Sequence, residues 1–182
     1  MKPVDHYLQR QRIAKALPWI QPGAHVLDVG CSDGALFGEG RLASGVGVDL
    51  LDSPIRLSPP FERRTGEFPS IIGPDERFDA ICMLAVVEHL DDDTLREWAA
   101  SVPGMLTPGG RLILTTPSPL VDHILHVGIA LHLLDGMELH QHHGFDPATV
   151  PTFFGTTGLR LLCHRRFQLG LNHLFVFESV RR

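Results

Sequence analysis

Residues 26–40, VLDVGCSDGALFGEG, read as a buried strand followed by a glycine-rich turn and a short helix. The strand is predicted from His25 to Val29, and it carries an acidic residue, Asp28, two positions before Gly30. Glycines in such a turn let a ligand approach the backbone closely. The carboxylate of Asp28 would repel a phosphate at close range. The turn therefore favours a ligand with a cationic or amine end.

Length and composition predict one soluble domain. The chain has 182 residues, of which 43% are hydrophobic, and a formal net charge of −5. This negative charge disfavours a nucleic-acid partner, and short basic pairs such as Arg63-Arg64 are interpreted as solvated edges. Three cysteines without a CxxC pair fit a reducing compartment. The sequence has no signal-peptide core and no apolar run long enough for a bilayer span, so we expect a cytoplasmic protein without membrane insertion.

Hydrophobic runs and turn residues predict alternating strands and helices. Strands are predicted at 25–29, 45–50, 61–66, 78–87, 111–117, 159–164 and 173–179. Helices are predicted at 5–18, from Asp92 or Asp93 to about 102, at 120–134, and from Asp146-Pro147 to about 155 or 158. The segment 51–68 contains three prolines and is not expected to form the usual crossover helix. The fold class is α/β: a single doubly wound, Rossmann-like sheet, mostly parallel, with an antiparallel C-terminal hairpin.

A second acidic residue, Asp49, ends the second predicted strand, 19 residues after Gly30. In an open parallel sheet, a carboxylate at this position can accept hydrogen bonds from both hydroxyls of a ribose. A ribose next to a cationic group, without a phosphate, describes S-adenosylmethionine (SAM). The residues alone therefore indicate SAM as the cofactor.

Five segments follow one another within residues 25–117: VLDVGCSDG, GVGVD, GEF, FDAICMLAVVEHL and LTPGGRLILTTP. In this order they resemble class I SAM-dependent methyltransferases, of the broad small-molecule group called type 11. The resemblance implies the class I methyltransferase fold in one domain, 1–182, with a cofactor-binding half at about 24–117 and an acceptor-side segment at about 118–158. It also implies methyl transfer from SAM to a small-molecule acceptor, with S-adenosylhomocysteine (SAH) as the product.

The resemblance assigns ten residues to the cofactor. Against the methionine part and the methyl group it places Asp28, Gly30, Cys31, Gly34, Met83 and Leu84. Against the adenosine part it places Asp49, Leu50, Glu67 and Phe68. Asp28 would meet the amino group, Asp49 the ribose and Glu67 the adenine amine. One position departs from the family's acidic-x-Gly-x-Gly-x-Gly pattern, because Ser32 stands where the middle glycine is usual.

Glu88 and His89 follow the fourth predicted strand and are the candidate catalytic pair. If the acceptor is a hydroxyl, a base that removes its proton assists the transfer. We predict His89 as that base, with Glu88 beside it. Alternatively, His89 packs against the cofactor or caps a helix, and Glu88 binds backbone amides. Some quinone-biosynthesis O-methyltransferases hold a divalent metal at this segment, but their additional glutamate corresponds to Ala85, so no metal is expected.

The acceptor pocket of this family usually follows the fifth main strand, where six histidines fall between residues 120 and 145. His140, His142 and His143 are therefore candidate substrate residues, and a metal site there is the less favoured alternative. Transfer to oxygen is the favoured reaction. The tail FQLGLNHLFVFES resembles those of bacterial methyltransferases of glycan or lipid-linked sugar synthesis, and secondary-metabolite synthesis is a further possibility.

Three other functions compete with an enzyme of this class. A non-catalytic or degenerate SAM-binding regulator or partner subunit is favoured slightly by Ser32 and by the short second crossover. A nucleotide-binding oxidoreductase would need glycine at position 32. Methylation of DNA or RNA is disfavoured by the negative charge and by the lack of an Asn/Asp-Pro-Pro-aromatic motif after the fourth strand. The sequence leaves the acceptor and the oligomeric state open.

Overall fold

The computed structural model describes residues 3–39, 41–118, 145–156 and 158–180. Its strands are β1 (His25–Val29), β2 (Ser44–Asp49), β3 (Phe61–Thr65), β4 (Phe78–Leu84), β5 (Leu106–Pro117), β6 (Leu159–Phe167) and β7 (Asn172–Ser179). Its α-helices are α1 (Pro3–Ala16), α2 (Asp92–Met105) and α3 (Val150–Phe154). Short 3₁₀ helices cover Leu17–Trp19, Ala35–Glu39, Val87–His89, Pro147–Thr149 and Gln168–Gly170. The helix predicted at 120–134 lies outside the described residues.

The strands form one sheet in the order β3-β2-β1-β4-β5-β7-β6. The pairs from β3 to β5 are parallel, whereas β7 runs antiparallel to both β5 and β6. The predicted α/β fold, mostly parallel with an antiparallel C-terminal hairpin, is therefore confirmed. Strand order reverses between β1 and β4, and ligands of such sheets bind beyond the carboxyl ends of the strands at this point. Within the described ranges, no helix is long and apolar enough to cross a lipid bilayer.

Apolar side chains cover both faces of the sheet, because successive strand residues point to opposite sides. One face carries a buried cluster that includes Ile13, Ala16, Val26, Ile113 and Val176. The opposite face carries a buried cluster that includes Leu27, Leu95, Val102, Leu112 and Phe177. The two clusters pack α1 and α2 on opposite faces. The carboxyl edge of the parallel strands is thus the part of the sheet at which loops and polar side chains gather.

The strand β4 is shorter than predicted. The predicted strand covers 78–87, but β4 ends at Leu84. Ala85 adopts a positive φ of 62°, and its N–H donates to the carbonyl of Thr115 at 2.8 Å. The chain therefore leaves the sheet before Glu88, which lies in a 3₁₀ turn beyond the sheet edge.

The helix α2 begins with a different cap from the predicted one. Asp91, rather than Asp92 or Asp93, is the N-cap, and its carboxylate accepts a hydrogen bond from the N–H of Thr94 at 2.8 Å. Asp92 and Asp93 instead occupy the first turn, where negative charge favours the helix dipole. The proline-rich link between β2 and β3 contains no helix, as predicted.

Candidate functional site

Two adjacent cavities lie along the turn that follows β1. The smaller has a volume of about 40 Å³, enough for an ammonium or a carboxylate group. It is lined by Gln9, Arg12, Ile13, Asp28, Gly30, Cys31, Ala35, Leu36 and Leu84. The larger, of about 530 Å³, is open and is lined by His6, Ser32, Asp33, Asp49, Leu51, Asp52, Ser53, Ile55 and Arg63. The turn therefore separates a small polar pocket under α1 from a wide cleft beside β2.

Asp28 is a buried carboxyl group at the small cavity. Its relative exposure is 5%, and no hydrogen bond joins its carboxyl to another residue of the described ranges. Burial raises the pKa of Asp28 to about 8, and the nearby charges of Asp49 and Asp33 add to the effect. A bound cation would remove this penalty, because it would favour the ionised carboxylate.

Left-handed backbone shapes the turn. Gly30, Ser32 and Gly34 have φ values of 75°, 47° and 74°. Glycine adopts this region freely, whereas a serine does so at a steric cost. The N–H groups of Gly30 and Cys31 donate to the Val48 carbonyl at 2.8 and 3.1 Å, and the N–H of Gly34 donates to the Cys31 carbonyl at 2.7 Å. Contacts of these residues with a ligand would therefore come from the carbonyl side of the turn.

Asp49 lies at the carboxyl end of β2, in the wide cleft. Its two carboxylate oxygens accept hydrogen bonds from the N–H groups of Ser32 at 2.9 Å and Leu51 at 3.1 Å. Each oxygen keeps a further lone pair that can accept from a hydroxyl group. The neighbouring apolar side chains are open to solvent, with relative exposures of 71% for Leu50, 75% for Leu51 and 39% for Ile55. An exposed apolar group of this kind suits a flat, partly apolar ligand such as a purine.

Arg63 is a residue of the cleft that the sequence analysis missed. Its guanidinium donates to the carbonyls of Ser32 and, at 2.9 Å, Leu51, and it contacts the sulfur of Cys31 at 3.2 Å. The interpretation of Arg63-Arg64 as a solvated pair is therefore wrong for its first member. Arg63 pairs with Gly47 in β2. Because this glycine leaves room above the sheet, the Arg63 side chain can extend to the turn after β1.

Of the residues predicted to contact the adenine or the methyl group, some are exposed and others lie in the core. Glu67 has an exposed side chain. Phe68 has a relative exposure of 3% and packs edge-on against Trp98, with ring centroids 4.7 Å apart, so little of its ring can contact a ligand directly. Met83 is fully buried in the same cluster, whereas Leu84 lines the small cavity.

The predicted catalytic pair is divided between the interior and the surface. His89 is exposed, whereas Glu88 has a relative exposure of 3%. Burial raises the pKa of Glu88 to about 7, although its own backbone N–H, Arg12 and Thr116 each lower it. One carboxylate oxygen of Glu88 is buried without a hydrogen-bond partner in the described part of the chain. Such an atom is costly unless a ligand or a water satisfies it.

Arg12 and Thr116 complete the polar surroundings of Glu88, and neither was recognised in the sequence. Burial lowers the pKa of Arg12, and the carboxylates of Glu88 and Asp5 oppose that shift. The Nε of Arg12 is buried without a hydrogen-bond partner among the described residues. The hydroxyl of Thr116 lies near enough to the Glu88 carboxylate to lower its pKa, but outside the geometry of a regular hydrogen bond. Arg12 lies four residues after Leu8, on the apolar stripe of the first predicted helix. A charged residue on the apolar stripe of this helix is the sequence feature that could have indicated a buried role for Arg12.

The candidate substrate residues His140, His142 and His143 lie outside the described residues. Within the ranges that the structure covers, no group of three His, Cys, Asp or Glu side chains is arranged to hold a metal ion.

Solved structures share this fold at low sequence identity. The N-methyltransferase NodS from Bradyrhizobium japonicum, in complex with SAH, is 18% identical, with a TM-score of 0.68 over 96% of this chain and 88% of that chain. A 1,6-didemethyltoxoflavin-N1-methyltransferase from Burkholderia thailandensis, with bound 1,6-didemethyltoxoflavin and SAH, is 17% identical, with a TM-score of 0.71 over 98% and 80%. Magnesium protoporphyrin IX methyltransferase from Synechocystis, with bound SAH, is 16% identical, with a TM-score of 0.69 over 98% and 88%.

A comparison with sequence families identifies the family, whereas the solved structures show only the fold. No curated protein matches the chain. A family model described as a methyltransferase domain, however, matches residues 4–169. This match includes both cavities, the turn after β1 and the segment around Glu88. Because the model spans most of the chain, the protein belongs to the methyltransferase domain family.

Proposed function

We propose that this protein transfers a methyl group from SAM to a small-molecule acceptor. The observation that carries the proposal is the buried carboxyl of Asp28 in β1, which has no hydrogen-bond partner among the described residues, beside the open carboxylate of Asp49. When bound, SAM supplies a methyl group on a positively charged sulfur. The solved methyltransferases of the same fold that contain SAH support this choice of cofactor.

The amino-acid end of this cofactor would lie at the small cavity. Asp28 and the carbonyl side of Gly30, Cys31 and Gly34 would accept hydrogen bonds from an ammonium group. Arg12, which lines the same cavity with a buried Nε that has no hydrogen-bond partner in the described ranges, would pair with the carboxylate. Leu84 would border the reacting group, and Met83 and Phe68 would support these walls from the core.

The wide cleft fits the nucleoside end. The free lone pairs of Asp49 would accept from the ribose hydroxyls. Leu50 and Leu51 would cover one face of the adenine, which would bury their exposed side chains. Glu67 is the candidate acceptor for the adenine amine. We therefore propose residues 24–117 as the cofactor-binding half and residues 118–158, with His140, His142 and His143, as the acceptor side.

Of the two candidate catalytic residues, we assign the role of base to Glu88, with His89 beside it. A pKa of about 7 lets a carboxylate accept a proton near neutral pH and release it afterwards. The proton of an acceptor hydroxyl would move to the carboxylate of Glu88, and the methyl group would pass to the acceptor oxygen as its bond to the sulfur of SAM breaks, which leaves SAH. His89, which is exposed, would exchange that proton with solvent. The rest of the catalytic effect would come from alignment of donor and acceptor.

The presence of a buried base supports oxygen as the attacked atom, because a hydroxyl needs deprotonation. A role in glycan, lipid or secondary-metabolite synthesis, in the cytoplasm, fits an acidic domain with a small-molecule acceptor. Two of the solved structures with this fold are N-methyltransferases, so amines belong in any acceptor screen. A non-catalytic SAM-binding regulator is the second candidate, and the strained Ser32 in the glycine turn favours it.

Replacing Glu88 with glutamine should separate catalysis from binding. We expect kcat to fall about 10²–10⁴-fold, because the general base is lost, while the affinity for SAH stays within about threefold. In the unmodified enzyme, the rate should rise with pH through about 7, since the base must be ionised. SAH release from SAM, measured with a panel of sugars, phenols and amines, tests both expectations.

The matched control is Glu97→Gln, because Glu97 is exposed on α2. Wild-type rates in the Glu88→Gln variant would remove Glu88 from the mechanism. No turnover of any acceptor, together with intact SAH binding, would favour the non-catalytic alternative.

A further inference from the structure

Two side chains brace the turn after β1 against the loop after β2. Asp49 accepts hydrogen bonds from the N–H groups of Ser32 and Leu51, at 2.9 and 3.1 Å. Arg63 donates to the carbonyls of the same two residues, one to Ser32 and one, at 2.9 Å, to Leu51. The N–H and the carbonyl of each of these two residues are thus held, by one acidic and one basic side chain. We call this arrangement the Asp49–Arg63 brace.

The brace acts on the residue that departs from the family's glycine pattern. Ser32 has a φ of 47°, a left-handed conformation in which the Cβ of an L-residue crowds its own backbone. Side chains other than glycine persist there only when surrounding contacts impose the conformation. Hydrogen bonds to the N–H and the carbonyl of Ser32 from two different side chains are contacts of this kind.

Arg63 reaches the turn because its neighbours are small. It lies on the edge strand β3 and pairs with Gly47 of β2. A Cβ added at Gly47 would lie 2.9 Å from the sulfur of Cys31, which is the atom that Arg63 contacts at 3.2 Å. The Nε of Arg63 is buried, so the stem of the side chain is enclosed and only the donors at its tip reach the two carbonyls.

We propose that Arg63 is a positioning residue that holds the cofactor loops in their binding geometry and compensates for serine at position 32. The inference rests on the proposed function, because the ligand whose binding it supports is SAM or SAH. Without Arg63, Ser32 is free to leave the left-handed region, and the turn then no longer meets Asp49. With glycine at position 32, the same conformation carries no steric cost. The requirement for Arg63 should then largely disappear.

The test is a double-mutant cycle of Arg63→Gln and Ser32→Gly, read by calorimetric titration with SAH and by thermal unfolding. We expect Arg63→Gln to weaken SAH binding about ten- to thirtyfold, as for the loss of charged hydrogen bonds. Ser32→Gly alone should leave the affinity within about threefold, and in the Arg63→Gln background it should recover most of the loss. Arg64→Gln is the matched control, because Arg64 pairs with Glu62 and Glu76 instead, and it should leave SAH affinity unchanged.

Two results would overturn the proposal. One is SAH affinity in Arg63→Gln equal to that of the wild type. The other is an additive cycle, in which Ser32→Gly restores no binding to the Arg63→Gln variant. If even the wild-type protein binds no SAH, the proposed function fails. The melting temperatures of the four proteins of the cycle still test whether Arg63 compensates for serine at position 32. Ser32→Gly should then raise the melting temperature more in the Arg63→Gln background than in the wild type, and equal shifts would contradict the brace.

Discussion

An Asp28→Asn protein should be more stable than the wild type and should lose its affinity for SAH. Burial, with smaller contributions from Asp49 and Asp33, raises the pKa of Asp28 from 3.8 to about 8. The folded state therefore holds a proton that the unfolded state releases above about pH 4. The contribution of Asp28 to stability is fully present below the unfolded pKa and is lost as the pH rises to about 8.

Asparagine has nearly the same shape and carries no charge, so it avoids this loss. We expect the free energy of unfolding to rise by about 2–4 kcal/mol at neutral pH, with a smaller gain near pH 5. Chemical denaturation at both pH values measures the difference. SAH binding should be lost, because the neutral amide cannot balance the positive charge of an ammonium group in a buried site.

The control for this variant is Asp79→Asn. Asp79 accepts hydrogen bonds from the N–H of His25 at 2.9 Å and from the hydroxyl of Thr107 at 3.1 Å, so the same substitution should lower stability there. Two results would contradict the assignment of Asp28 as a buried functional carboxyl that lowers stability. One is an Asp28→Asn protein that is less stable than the wild type, and the other is a gain in the free energy of unfolding that is equal at both pH values.

Asp49→Ala should weaken SAH binding about a hundredfold, through two effects. The variant loses the acceptor for the ribose hydroxyls, and it also releases the N–H groups of Ser32 and Leu51 that Asp49 holds. The second effect is local, so the overall fold should persist. Calorimetric titration with SAH measures the loss. Glu62→Ala removes a carboxylate from the exposed side of the neighbouring strand and should leave the affinity unchanged. Comparable affinities of Asp49→Ala and the wild type would place the nucleoside elsewhere.

The fold, and the position of two acidic residues of the candidate site at one sheet edge, could be predicted because their signals are local. A buried strand ending in glycines and a second strand ending in an acid place Asp28 and Asp49 at one sheet edge. The prediction of their positions does not depend on the sequence of the other segments. The family pattern also indicated Ser32 as the unusual position, and the structure gives it the left-handed φ that a glycine would adopt.

The residues that the sequence analysis missed depend on tertiary register. Arg63 enters the cleft only because β3 pairs with β2 so that Arg63 lies opposite Gly47. Its neighbour Arg64, with the same charge, pairs with surface carboxylates. Arg12 and Thr116 come from α1 and β5 and meet Glu88 only in the folded chain. Apart from the position of Arg12 on the apolar stripe of the first predicted helix, no local pattern distinguishes these residues from ordinary surface or core positions.

The most direct test of the central claim is the affinity of the wild-type protein for SAH as a function of pH. If the ammonium group of SAH pairs with ionised Asp28, binding must first remove the proton that the free protein holds up to about pH 8. The affinity should then rise by about tenfold per pH unit between about pH 6 and 8, whereas the Asp28→Asn variant should bind no SAH at any of these pH values. Absence of SAH binding at every pH, or an affinity that does not change with pH in the wild type, would contradict the account.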